Sequence, residues 1–212
     1  MPSPYRISDL AIKQLNRATA NLVESTKKRL IIDGFDDLNV ATLVDKLYAD
    51  IDRTFRKRCK ELYYLRYWEI RHWLGTDDED EIDELFEMYL AGLLDNPNEN
   101  THYTYSTEIL RKRDRAKEAI LSIPTKARKQ IELDKQIRFL MQMCDWYLDF
   151  VSQDAEIQAF IDEGVKEVER HEMNDGKTCR TCQDADGDIY PIDDIPPLPH
   201  LRCRRWFTPV EQ

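Results

Sequence analysis

The C-terminal stretch of this chain carries Cys179, Cys182, His200 and Cys203, and no other feature restricts its fold as much. The spacing is C-x2-C, then seventeen residues, then H-x2-C. Two thiolates two residues apart can bind one side of a tetrahedral ion, and a His and a Cys three positions apart can close the other. That set fills the coordination sphere of a structural zinc, whereas a catalytic zinc keeps one position for water. The apolar residues nearby, among them Ile189, Ile192, Leu198, Trp206 and Phe207, are too scattered to form a core of their own. A segment of about forty residues with so little apolar content needs a metal or disulfides to fold. We therefore expect one structural Zn2+ held by Cys179, Cys182, His200 and Cys203. A C-x-x-C pair alone also suits a redox site or a disulfide, and an iron–sulfur site is a further alternative. Redox pairs usually sit at a helix N-terminus after a strand, and no strand signal precedes Cys179.

Upstream of this tail the chain reads as helix. Ser8 can cap a helix running to about Ile31, with Ile12, Leu15, Leu22 and Val23 on one face and Gly34 after its end. A second helix starts near Asn39. Its apolar stripe of Val40, Leu43, Val44, Leu47, Ile51, Phe55, Cys59 and Leu62 follows helical spacings of three and four, and it stops at Gly75. Thr76 can cap an acid-led helix, T-D-D-E-D-E-I-D-E-L, whose first-turn carboxylates complement the helix dipole. Pro and Asn content makes Asp95–Tyr103 a loop. A basic helix spans about Ser106 to Ile123. Pro124 interrupts it, and Thr125 can cap a last helix expected to reach about His171. Cys59 and Cys144 lie in helical apolar stripes and are expected to be core residues rather than ligands.

From about Asn174 helical periodicity gives way to Gly, Pro and Asp. Asp186-Gly187 suggests a hairpin turn, with Asp188–Ile192 and Arg204–Thr208 the best strand segments. Pro191 would keep the first of these at a sheet edge. The expected fold class is mainly α: an elongated helical body over residues 1–171, and a small zinc-stapled β-hairpin module over residues 172–212. Aromatic residues gather at Tyr63, Tyr64, Tyr67, Trp68 and Trp73, for which core packing or a helix–helix contact is favoured over base stacking.

The tail D-G-K-T-C-R-T-C-Q-D-A-D-G-D-I-Y-P-I-D-D-I-P-P-L-P-H-L-R-C-R resembles the C-terminal signature of phage head morphogenesis proteins, the minor head proteins of the Mu F-like group. The elements carrying the resemblance are D-x-x-T-C-x-x-C at Asp175 to Cys182, D-G at Asp186 and Gly187, P-P at Pro196 and Pro197, and H-x-x-C-R at His200 to Arg204. They lie within the last fifth of the chain. Two departures stand out. Arg205 occupies the place where the family often has a second Cys, and Pro199 precedes His200 where the family usually has a Pro after the His. The resemblance implies a virion component inside the head near the portal, made in the cytoplasm of a bacterial host. It would act in procapsid assembly, DNA packaging or ejection. The implied partners are the portal protein, the major capsid or scaffolding protein, and the packaged DNA.

A net charge of −10 argues against general nucleic-acid binding, although basic clusters occur at Arg53–Lys60, Arg111–Lys117 and Lys126–Lys129. Arg202, Arg204 and Arg205 are the residues best placed in sequence to touch phosphates. No run of apolar residues is long enough to span a bilayer, and the N-terminus lacks the apolar core of a signal peptide. The expectation is of a non-enzyme. His171-Glu172 begins like a zincin motif, but Asp175 stands where the second His is needed. No phosphate-binding loop or G-x-S-x-G occurs. A DNA-contacting zinc module or a metal-dependent nuclease is the alternative.

Overall fold

The computed structural model describes residues 5–76, 92–95, 104–173, 176–199, 203 and 205–210. The elements are α1 (Tyr5–Asp33), α2 (Asp37–Leu74), α3 (Tyr105–Leu121), α4 (Lys126–Asp162), β1 (Glu167–Glu172), α5 (Arg180–Asp184), β2 (Ile189–Pro191) and β3 (Arg205–Pro209). The chain is thus mainly helical, with a small antiparallel sheet near its C-terminus. Among the described residues no helix is long and apolar enough to cross a membrane. The acidic segment expected to form a helix after Thr76, and most of the Asp95–Tyr103 loop, lie outside the described residues.

Two compact units divide the chain. One draws on Ile12–Arg58 and Met88–Tyr147, the other on Met1–Ala11, Cys59–Glu87 and Leu148–Gln212. The expected boundary between residues 171 and 172 falls inside β1, and the tail shares its unit with the C-terminal parts of α2 and α4.

In the first unit the stripe of α2 is buried as its periodicity requires: Val40, Val44, Leu47, Ile51 and Phe55 are all enclosed. Phe55 stacks on Tyr105 at 4.3 Å between ring centroids, and Tyr105 meets Tyr147 edge-on at 5.3 Å. Asp36 caps α2 through an Oδ1 that accepts from Asn39 N at 2.9 Å. Thr104 and Thr107 form a capping box at the start of α3. The basic clusters supply ion pairs here. Arg113 and Lys117 meet Asp45 at 3.3 and 2.8 Å, and Arg56 meets Asp52 at 3.0 Å.

In the second unit α2 and α4 each end on a glycine with positive φ, Gly75 at 92° and Gly164 at 73°. Both ends are Schellman motifs. Gly75 N donates to His72 O and Thr76 N to Arg71 O; Gly164 N donates to Ile161 O and Val165 N to Phe160 O. Glu163 joins the two ends, accepting from Arg71 Nε at 2.5 Å and from the Thr76 hydroxyl at 2.6 Å. The aromatic group divides between core and surface. Tyr63 and Tyr67 are buried, Tyr67 donating its hydroxyl to Asp162 at 2.6 Å, while Tyr64 and Trp73 remain exposed.

The expectation that the last helix continues to His171 is corrected. Gly164 ends it at Asp162, and Glu167–Glu172 forms the central strand of the sheet, whose order is β2-β1-β3. Both neighbours are antiparallel to β1. Val168 pairs with Tyr190 on one side and Pro209 on the other, and Glu172 pairs with Arg205. The two tail strands were expected, but they flank β1 instead of pairing as a hairpin. Pro191 does sit on an edge strand. Alternation along β1 turns Val168, Arg170 and Glu172 inward.

Candidate metal centre

Two elements of the second unit, α5 and β3, bring the thiols together. Cys179 is the N-cap of α5, and Cys182 follows within that helix's single turn, so both side chains face one way. Cys203 precedes β3, whose inner face continues through Arg205 and Phe207. Cys182 and Cys203 are buried with Leu198, and Phe150 and the half-buried Cys179 pack against them. The Cys182 and Cys203 sulfurs are 3.8 Å apart. None of the five cysteines is joined in a disulfide. Cys59 and Cys144 are fully buried in the helices, as their stripe positions imply.

A fourth group completes the cluster. Ligand atoms of Glu172, Cys182 and Cys203 all lie within 4.8 Å of one another, and all three residues are buried. These residues, with Cys179 beside them, can hold a metal ion. The Glu172 backbone is set by Asp186, whose Oδ1 accepts from Glu172 N at 2.7 Å. Gly187 N donates to Arg170 O, and Arg170 N donates to Asp188 O, each at 2.8 Å. The D-G pair therefore fixes the end of β1 that carries Glu172.

Two buried guanidiniums surround the cluster. Arg170 donates to Glu172 Oε1 from Nε at 3.0 Å and from Nη2 at 2.6 Å. Arg205 donates to Gln153 Oε1 at 2.6 Å and to the Pro197 carbonyl at 3.2 Å. Burial lowers the Arg205 pKa, and the neighbouring Arg170 charge adds to this. Burial pushes the Cys182 thiol up, reinforced by Cys179 and Cys203, and burial likewise raises Cys203. Both thiols are thus protonated at neutral pH unless a cation compensates them, and metal binding would release those protons.

These facts change one argument about the C-x-x-C pair. Cys179 does stand at a helix N-terminus downstream of a strand, which is where redox pairs are found. The second cysteine of the pair, Cys182, is enclosed and its thiol is raised by burial, while Cys179 at the helix start is half-buried.

His200, expected as the fourth ligand, lies outside the described residues, as do Arg202 and Arg204. The expectation that Arg205 projects toward phosphates is corrected. Strand alternation from Cys203 turns it inward, where it is 4% exposed and bonded to Gln153 and Pro197. Glu172 is the site residue that sequence reading missed. The available signal was the alternation in E-V-E-R-H-E after Gly164. His171 faces the other side of the sheet, stacked on Trp206 at 5.5 Å and 2.7 Å from the Thr208 hydroxyl. A zincin motif needs a helix at that position. No family model, curated protein or solved structure matches the chain.

Proposed function

We infer that this chain is a phage minor head protein, a structural component that works where the portal meets the capsid during assembly, packaging or ejection. The observation that carries this reading is the tail motif, whose parts belong to one site. In D-x-x-T-C-x-x-C, the two cysteines face the cluster. In the D-G step, Asp186 and Gly187 anchor the strand that bears Glu172. The carbonyl of Pro197, in the P-P step, holds Arg205, and Cys203 of H-x-x-C-R supplies the third thiol. A motif with this division of labour is a folding unit built around an ion, which supports a structural role for the tail.

The ion in this reading is Zn2+, bound by the thiolates of Cys179, Cys182 and Cys203 and one further donor, which the sequence spacing assigns to His200. Zinc suits a thiolate-rich tetrahedral set and brings no redox chemistry of its own. Its role would be to hold the sheet and α5 in one shape; no catalytic step is assigned to it. The helices would supply the surface that meets portal, capsid or scaffolding subunits, in the host cytoplasm during assembly and afterwards in the virion.

Elemental analysis of protein purified without added metal should find about one zinc per chain. The chain should co-purify with its cognate portal in a DNA-independent way and be present in purified particles. Absence from particles, together with no association with portal or capsid, would overturn the head-protein reading. Salt-sensitive DNA binding or metal-dependent DNA cleavage would instead favour the nucleic-acid alternative.

A further inference from the structure

The inner face of a small sheet packed on helices is normally apolar, yet here it carries Arg170, Glu172 and Arg205, each 4% exposed. A charged group is buried in this way only when it is paired or coordinates an ion. Arg170 occupies one oxygen of Glu172, Oε1, through two nitrogens. The other oxygen, Oε2, is buried and has no hydrogen-bond partner. The carboxylate belongs to the group whose ligand atoms lie within 4.8 Å of one another. The distance between the two sulfurs in that group is informative as well. A tetrahedron with zinc–sulfur bonds of about 2.3 Å has an edge of about 3.8 Å. The sulfurs of Cys182 and Cys203 are 3.8 Å apart.

We propose that Glu172 is a direct ligand of the metal through Oε2, in a site with Cys179, Cys182 and Cys203, and that Arg170 is its positioning residue. The assignment rests on the metal reading above and replaces His200 as the fourth donor. Metal-ligating carboxylates are commonly held by an outer hydrogen-bond donor, which is the relation of Arg170 to Oε1. The charges also balance. A dication with three thiolates and one carboxylate leaves two negative charges, and the guanidiniums of Arg170 and Arg205 cancel them. Both arginines interact electrostatically with Cys203 and Glu172. Binding would proceed by loss of the thiol protons to solvent as the ion enters, with no change of oxidation state.

The test uses the full chain loaded with zinc, and two variants, Glu172→Gln and His200→Ala. X-ray absorption at the zinc edge should show three sulfurs at about 2.3 Å and one oxygen at about 2.0 Å, without imidazole scattering. Competition against a chelator should show zinc held more than about 100-fold more weakly by Glu172→Gln, beyond the roughly 10–100-fold that losing an outer-shell partner produces. His200→Ala should keep the wild-type spectrum and affinity. Circular dichroism in zinc-saturated buffer checks that both variants fold. If Glu172→Gln does not fold, the wild-type and His200→Ala spectra decide by themselves. Imidazole scattering in the wild type that disappears in His200→Ala, with no bound oxygen, overturns the assignment and leaves the metal reading intact. A wild-type chain that takes up no metal overturns both.

Discussion

Removing the carboxylate of Glu156 should loosen the sheet from the helices. Glu156 lies on α4 and is 2% exposed. Its Oε1 accepts from the backbone N–H of Phe207 in β3 at 3.1 Å and lies 3.1 Å from Nη2 of the fully buried Arg66 on α2. The latter contact is an ion pair, not an aligned hydrogen bond, because Nη2 has no hydrogen-bond acceptor in line. Glu156→Ala would strand a buried guanidinium, a change that typically costs about 3–5 kcal/mol. Arg66 keeps a second partner, Glu69, at 2.5 Å, so the lower end of that range applies. The orphaned Phe207 N–H adds about 1 kcal/mol. The expected loss is therefore about 4 kcal/mol, a large part of the 5–15 kcal/mol by which domains are usually stable. Glu156→Gln keeps an acceptor for Phe207 and should lose about half as much. Urea unfolding followed by helical circular dichroism and by tryptophan fluorescence would measure both, since Trp206 adjoins Phe207 in β3. A double-mutant cycle with Arg66→Met should show coupling of at least about 1 kcal/mol. A loss below about 1 kcal/mol for Glu156→Ala, or additive effects in the cycle, would refute the reasoning that a buried pair joins sheet and helices.

Other substitutions probe separate parts of the molecule. Burial raises the Asp154 pKa from 3.8 to about 6. A raised folded-state value means its stabilising contribution is complete below pH 3.8 and is lost as pH rises through about 6. Asp154→Asn should therefore flatten the stability profile across that window and gain up to about 3 kcal/mol at pH 7, measured by urea unfolding at several pH values. Cys59→Ala and Cys144→Ala should leave zinc content unchanged and each lower stability by about 1 kcal/mol through lost packing; zinc loss in either would mean the ligand set is wrong. Tyr67→Phe should cost about 1–2 kcal/mol by removing the hydroxyl bond to Asp162. Tyr64→Ala, at a residue 43% exposed, should change stability by less than about 0.5 kcal/mol. If that helix face meets the portal, Tyr64→Ala should weaken co-purification, and unchanged capture would place the contact elsewhere.

Much of the helical body was legible because its signals are local. An apolar residue every third or fourth position along α2 marks a face that must be covered, and Gly75 supplies the backbone conformation that ends it. The thiols were legible too, since two lie within one turn and the third follows a motif. Pro191 announced an edge strand because it lacks the donor that a central strand needs. β1 was hidden by its side chains. Val168 is the lone apolar residue among the six, and Arg170 and Glu172, which occupy inward positions, look in sequence like the solvated face of a continuing helix.

What the sequence determined by itself was the long helices on either side of Gly34 and after Thr104 and Thr125, and the cysteines at the end of the chain. What tertiary structure alone decided was which charges are buried beside those cysteines. Pairing β1 between β2 and β3 brings Glu172 to Cys182 and Cys203, across ten and thirty-one positions of sequence. It also turns Arg205 away from solvent and toward Gln153. A side chain's period along one strand is local, but which side of that strand faces the helices depends on partners far along the chain. That choice distinguishes a solvated carboxylate from one buried beside thiols where it can hold a metal ion.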